Sequence, residues 1–160
     1  MLVAFDTLPD ESRVWIYQAS RSFSEAEISG LKLQIEAFLE DWTAHGSELR
    51  AGYEIRYNRF IVIALDQSMV PASGCSIDAS VYFIQELEKE YDLMLLDKMN
   101  VSYKQGEFVA YKPLADFRKM AKEHAVSKNT IVFNNLVANK LEYENHWEVP
   151  ASESWHARFM

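Results

Sequence analysis

An α+β fold is predicted by three features of this sequence: amphipathic helical stripes over residues 28–42 and 77–91, an alternating run at 49–57, and a uniformly apolar run at 60–65. Alternation marks a strand with one face in water, whereas an unbroken apolar run marks a strand covered on both faces. With a first strand at Arg13–Gln18 and a last at 101–103, the order becomes strand, helix, strand, strand, helix, strand. That is the βαββαβ order of a ferredoxin-like core, an antiparallel sheet with helices on one face, here followed by an additional C-terminal helix/strand unit. The first and third strands of such a core are central.

The first strand, Arg13–Gln18, is short and rich in aromatic and β-branched residues. Ser24-Glu25-Ala26-Glu27 then reads as a capping box, with Phe23 and Ile28 as its hydrophobic staple. Such a start contributes about 1 kcal/mol. Ile28, Leu31, Ile35, Phe38, Leu39 and Trp42 form one helical stripe, and Gly46 reads as the stop. His45 would complement the helix C-terminus just before it.

Leu49, Ala51, Tyr53, Ile55 and Tyr57 alternate with polar neighbours and predict an edge strand, turned by Asn58-Arg59 into the central strand 60–65. Ile77, Val81, Ile84, Leu87 and Tyr91 mark the second helix. Gln105-Gly106 predicts a hairpin between 101–103 and 107–111, and Pro113 opens a third helix to about residue 125, with Leu114, Phe117 and Met120 inward. Thr130 to Phe133 suits a strand, while 136–147 fits a helix or a meander equally well. The outer face of 60–65 needs a cover, from the third helix, the C-terminal segment or a second subunit.

The 160 residues fit a single domain, and 49% apolar with 25% charged residues is an ordinary globular composition. Sixteen basic against 24 acidic residues leave a net charge of −8, which disfavours phosphate attraction and predicts no nucleic-acid partner. Asp6 follows a start without basic residues, unlike a signal peptide, and no apolar run is long enough for a membrane span. One cysteine cannot form an internal disulfide. These features together predict a cytoplasmic protein without membrane association.

The candidate site lies where the apolar strand ends at Asp66 and the chain enters Ser73-Gly74-Cys75-Ser76-Ile77-Asp78. A bend of small residues at a helix start gathers backbone N–H groups, hydroxyls and the thiol. Asp66, Ser73, Gly74, Cys75, Ser76 and Asp78 are the candidate ligand-binding residues, and the two acids favour a neutral or cation-bridged small molecule over an anion. The structural alternative is that Ser76 caps the helix and Cys75 packs as a small residue. A thiol-dependent enzyme is the catalytic alternative, with Cys75 as nucleophile and His45, His124, His146 or His156 as base, although no spacing selects one. No histidine carries a metal-ligand spacing, no cofactor motif is present, and a thiol–disulfide exchange enzyme would need a second cysteine. Three large aromatics, Trp147, Trp155 and Phe159, crowd the C-terminal segment. Chain ends are normally polar, so this segment is expected to dock on its own domain, with a homodimer contact or a protein-interaction role as the alternative.

Arg13–Gln18, the 73–78 bend and the stretch Trp147-Glu148-Val149-Pro150-Ala151-Ser152-Glu153-Ser154-Trp155-His156 together resemble a small bacterial family of about this length, across nearly the whole chain. Its members are often labelled ABC transporter ATPase. An ATPase of that kind cradles phosphates with Gly-x-x-x-x-Gly-Lys-Ser/Thr. Here Gly30, Gly46, Gly52, Gly74 and Gly106 all lack the following lysine and hydroxyl residue, so the resemblance transfers no functional residue.

Overall fold

Residues 1–160 are all described by a computed structural model, whose four helices and three antiparallel sheets divide between two units. This is an α+β architecture. The first unit comprises residues 1–96 with 138–141, the second 97–137 with 142–160.

In the first unit, β1 (Arg13–Gln18) leads to α1 (Glu25–Asp41), a small hairpin of β2 (Thr43–Ala44) and β3 (Ser47–Glu48), then β4 (Arg50–Arg56), β5 (Phe60–Asp66) and α2 (Gly74–Tyr91). The main sheet has the order β1-β5-β4, antiparallel throughout, with Ile63 opposite Trp15 on one side and Tyr53 on the other. Central β5 and edge β4 match the sequence pattern. By contrast, β1 lies at an edge rather than in the centre. Its outer side is bordered by residues 138–141, where the Val14 amide donates to the Ala138 carbonyl at 3.0 Å and Arg13 forms an isolated antiparallel bridge with Asn139.

Ile61, Ile63 and Leu65 of β5 face Leu31, Ile35 and Leu39 of α1 and Ile84 and Leu87 of α2. The alternate residues Phe60, Val62 and Ala64 are equally buried, none of the six exceeding 1% exposure. Each large aliphatic so buried contributes about 1.5–3 kcal/mol. The face away from the helices is therefore covered within one chain. Gly52, opposite Ala64, explains one part of that cover, because a Cβ there would stand 2.7 Å from the Val3 carbonyl oxygen. The N-terminal segment lies directly against the sheet.

The capping box of α1 forms as read: Ser24 Oγ accepts from the Glu27 amide and Glu27 Oε1 accepts from the Ser24 amide. Glu27 also pairs with Arg21 at 2.9 Å, which holds its carboxyl down at about 2. The C-terminus differs from expectation. Trp42 is already extended, and His45 (φ 53°) and Gly46 (φ 79°) form the turn between β2 and β3. Two consecutive left-handed residues suit a tight hairpin turn, so His45 sits on that turn and not at a helix terminus. In the next hairpin the left-handed residues are Tyr57 and Asn58, which relieves Arg59 of that strain.

α2 begins at Gly74, before Ile77, and buries Ser76, Ser80, Ile84 and Leu87. Val81, assigned inward by periodicity, is 36% exposed, because the face set by Ser76, Ser80, Ile84 and Leu87 leaves it at the margin. Phe38 stacks on Phe83 at 4.4 Å, and Gln34 hydrogen-bonds both Glu90 and the Tyr91 hydroxyl across the helix pair.

The second unit contains β6 (Asn100–Gln105), β7 (Phe108–Pro113), α3 (Leu114–Lys122), β8 (Ile131–Phe133) and β9 (Glu148–Pro150), with sheet order β7-β6-β8-β9. The segment 101–103, expected as fourth strand of the first sheet, belongs to this sheet instead. The Gly106 turn (φ 64°) brings β6 and β7 together over six residue pairs, a local pairing of low loop-closure cost. α3 ends at Lys122, short of the expected residue 125, with His124 left-handed at φ 60° just beyond. Pro113 is its N-cap residue rather than its first helical one. Within 136–147 the chain forms α4 (Lys140–His146).

Phe117 of α3 anchors this unit's core with Val101, Tyr103, Val126 and Val132. The C-terminal 3₁₀ turn Trp155–Phe159 packs on it: His156 and Phe159 approach the Phe117 ring edge-on at 5.6 and 6.5 Å. Trp147 is buried between Phe133 and Tyr143, and its Nε1 donates to Asn135 Oδ1 at 2.9 Å. The aromatic segment thus docks inside its own unit.

Candidate functional site

Ser73 is the N-cap of α2, and a second capping box joins it to Ser76. Ser73 Oγ accepts from the Ser76 amide at 3.1 Å, Ser76 Oγ accepts from the Ser73 amide at 2.7 Å, and the Ser76 hydroxyl donates back to the Ser73 carbonyl at 2.8 Å. The cap is therefore Ser73, and Ser76 is its reciprocal partner at the third helical position. This device fixes the first turn rigidly and leaves the Gly74 and Cys75 amides, the first two of the helix, pointing outward.

A groove of about 400 Å³ opens beside this turn. One wall is Ser73, Cys75, Ser76 and Ala79 of the α2 start; the other is Phe38, Asp41 and Trp42 at the end of α1, continued by Thr43 and His45 of the β2–β3 hairpin. The two walls are tied by Trp42, whose Nε1 donates to the Ser76 carbonyl at 2.8 Å in a buried position. Behind them, Trp42 packs on Phe38 and Trp15 at 5.5 and 5.9 Å. The groove is thus a rigid aromatic base carrying an exposed thiol, hydroxyls, an imidazole and one carboxylate at its rim.

Three of the six sequence-derived candidates, Ser73, Cys75 and Ser76, line the groove, and the other three do not. Asp66 turns toward its own loop, accepting from the Ser68 amide at 2.9 Å, and the Ser68 hydroxyl and then that amide hold its carboxyl below the usual range. Gly74 and Asp78 are exposed and lie outside the lining. A Cβ on Gly74 would meet nothing within 4 Å, so the bend does not require glycine there. Phe38, Asp41, Trp42 and Thr43 were missed because the helical stripe gives the two aromatics a core role, and nothing in the sequence signals that α1 stops at Asp41. His45, one of the four histidines named as a base, lines the groove from the β2–β3 turn rather than from a helix terminus.

Chemically, the groove offers a ligand the half-buried Phe38 ring, the Thr43 hydroxyl, the Cys75 thiol and the His45 imidazole, the Ser73 and Ser76 hydroxyls being held in the capping box and Trp42 lying buried beneath. Asp41 opposes an anion there. His45 is the histidine in its lining. No three His, Cys, Asp or Glu side chains come together as a metal-binding set, and no helix is long and apolar enough to cross a membrane. No protein-family description, curated protein or solved structure matches the chain.

Proposed function

We propose that this protein is a non-catalytic cytoplasmic binding protein whose groove at the start of α2 takes a small, neutral molecule with a flat apolar part. The observation carrying this reading is the aromatic-based groove of about 400 Å³ between the end of α1 and the start of α2, lined on the α2 side by Ser73, Cys75, Ser76 and Ala79. The first unit is read as a ferredoxin-like arrangement whose fourth strand is reduced to the bridge at Asn139; its strand order β1-β5-β4 with two helices on one face supports this. The family likeness brings an ATPase label but no phosphate loop, so no nucleotide chemistry is assigned. Docking of Trp155, His156 and Phe159 on Phe117 supports an internal role for the aromatic segment over a homodimer contact.

The test is amide shift mapping with a set of neutral aromatic amides at millimolar concentration, on the native protein and on Ala79→Trp, which fills the groove at an exposed position. Shifts clustered at 73–79 and 41–45 that vanish in Ala79→Trp support the reading. Absence of any such cluster, or its survival in Ala79→Trp, overturns it.

A second reading, a thiol-dependent enzyme, is favoured by the placement of Cys75 and His45 on the same groove. Cys75 would be the nucleophile and His45 the base. Alkylation by iodoacetamide at neutral pH decides it: selective reaction faster than that of a free cysteine, slowed in His45→Ala, is required. A rate equal to that of a free cysteine leaves the binding reading alone.

A further inference from the structure

The outer edge of β4 is occupied only at its beginning. The Ala51 amide donates to the Met1 carbonyl at 3.1 Å and its carbonyl accepts from the Val3 amide at 2.9 Å, a parallel bridge centred on Leu2. Along a strand paired on one side, the residues whose main-chain groups face outward alternate. Tyr53 and Ile55 therefore follow Ala51, and their outward N–H and C=O groups find no main-chain partner on that side. No proline or bulge blunts this edge: the register with β5 runs unbroken from Arg50 to Arg56, and the strand ends where Tyr57 turns left-handed at φ 56°. The open stretch runs from Tyr53 to that turn, and Ile55 is its midpoint.

The groove beside this edge carries two cations and two acids, Lys32 and Arg56 with Glu36 and Glu54. Such a balance favours no partner of a single sign. It suits a two-fold contact, in which each copy offers both members of every pair. The stretch Tyr53-Glu54-Ile55-Arg56-Tyr57 is self-complementary about Ile55, with an acid one step before it, a base one step after and tyrosine at both ends. Glu54 and Arg56 project from the face opposite Ile55, 3.9 Å apart, with side chains 36% and 41% exposed.

We propose that β4 pairs antiparallel with β4 of a second copy of this chain about a two-fold axis at Ile55, joining two three-stranded sheets into one of six strands. The two Ile55 residues then exchange both of their N–H···O bonds. Glu54 comes opposite the partner's Arg56, and Arg56 opposite the partner's Glu54, in the closer, non-hydrogen-bonded kind of pair. With the 3.9 Å contact already present in each chain, the four charges alternate in sign. The neighbouring registers fail. An axis at Glu54 would set the partner's Tyr57 against Ala51, where Leu2 already pairs, and would oppose two glutamates; an axis at Arg56 would oppose two arginines.

Sedimentation of the full chain from micromolar to millimolar concentration is expected to show a monomer–dimer equilibrium, with hydrogen exchange at the Ile55 amide slowing as dimer forms. Glu54→Arg sets arginines against arginines and Arg56→Glu sets acids against acids, so each alone should weaken the dimer about tenfold. Mixed in equal amounts, the two variants oppose unlike charges again and should restore it as a heterodimer. The exchange measurement on native protein stands even if a variant fails to fold. A native chain that stays monomeric at millimolar concentration overturns the proposal. So does a dimer that both reversals leave intact, or one whose Ile55 amide exchanges as fast as in the monomer, since either places the contact elsewhere. Folded single variants that weaken the dimer without restoring it on mixing overturn it as well.

Discussion

The imidazole of His156 meets the ring of Phe117 edge-on, centroids 5.6 Å apart, while its other face lies on Trp155 at 3.8 Å. Only 1% of the residue is exposed, and its single polar contact within hydrogen-bond distance is Ser154 Oγ to Nδ1 at 2.7 Å. Burial disfavours the charged ring and pulls its pKa down from 6.5 to about 4. The unfolded chain therefore binds a proton between these values that the folded chain refuses, so stability is full above about 6.5 and falls as pH drops toward 4. The loss is at most about 3 kcal/mol. Glu27 and Asp66, whose pKa values are lowered, lose their contributions only below the ordinary carboxylate range. Urea unfolding from pH 7 to 4 should show this slope in the native protein and lose most of it in His156→Gln. An unchanged slope in the variant would remove His156 as its source.

Gly52 and Gly74 make opposite demands on an added methyl group. At Gly52 a Cβ would meet the Val3 carbonyl oxygen at 2.7 Å and the Phe5 Cα at 3.1 Å, both backbone atoms that move only with their segment. Gly52→Ala should therefore destabilise by about 1–3 kcal/mol. Gly74 has open space around its Cβ position, and Gly74→Ala should be neutral or stabilising by up to about 1 kcal/mol. Urea midpoints of the two variants, compared with native protein, check the pair; equal effects would mean that the N-terminal segment is loosely held.

These contrasts bear on what the amino-acid sequence reveals. The Ser24–Glu27 capping box is legible because donor and acceptor are three residues apart, and β5 because its composition alone requires two covered faces. His45-Gly46 is ambiguous: a left-handed glycine ends helices and turns hairpins alike, and only the extended Trp42 decides between them. The partner of β6 was illegible for a different reason. Its pairing with β7 is local, but its placement beside β8, with Tyr103 opposite Val132, joins residues distant in sequence and without a shared pattern. In the candidate site, the helix-start turn could be read but its phase could not, so Ser73, Cys75 and Ser76 fall on the groove while Asp78 does not, and Asp66 is held to its own loop by the Ser68 amide.

The reciprocal bonds of Ser73 and Ser76 predict a coupled pair. Ser73→Ala removes the acceptor for the Ser76 amide and should cost about 1 kcal/mol. Ser76→Ala removes the acceptor for the Ser73 amide and a donor to the Ser73 carbonyl, with a similar cost. Because each serine holds the other's rotamer, the double variant should lose less than the sum of the single ones. Denaturant unfolding of all four proteins measures the coupling. Strict additivity would show two independent caps instead of one box.

Lys140 supplies the last prediction. Its residue is only 5% exposed, and Nζ donates to the Leu8 carbonyl at 2.7 Å and the Asp6 carbonyl at 3.3 Å, 5.7 Å from the Phe5 ring centroid. The Lys140 amide also donates to the Ser12 carbonyl at 2.8 Å, which fixes the stem where the chain borders β1. One ammonium thus ties the 3₁₀ turn Phe5–Thr7 and the residue after it to the segment beside β1. Methionine keeps the apolar stem but cannot donate, leaving two carbonyls short of a charged partner. Lys140→Met should accordingly cost about 2–3 kcal/mol. It should also speed hydrogen exchange at the Thr7 and Leu8 amides, which bond to Ala4 and Phe5 within that turn. A variant with native midpoint and native exchange at both amides would show that the turn holds without the lysine.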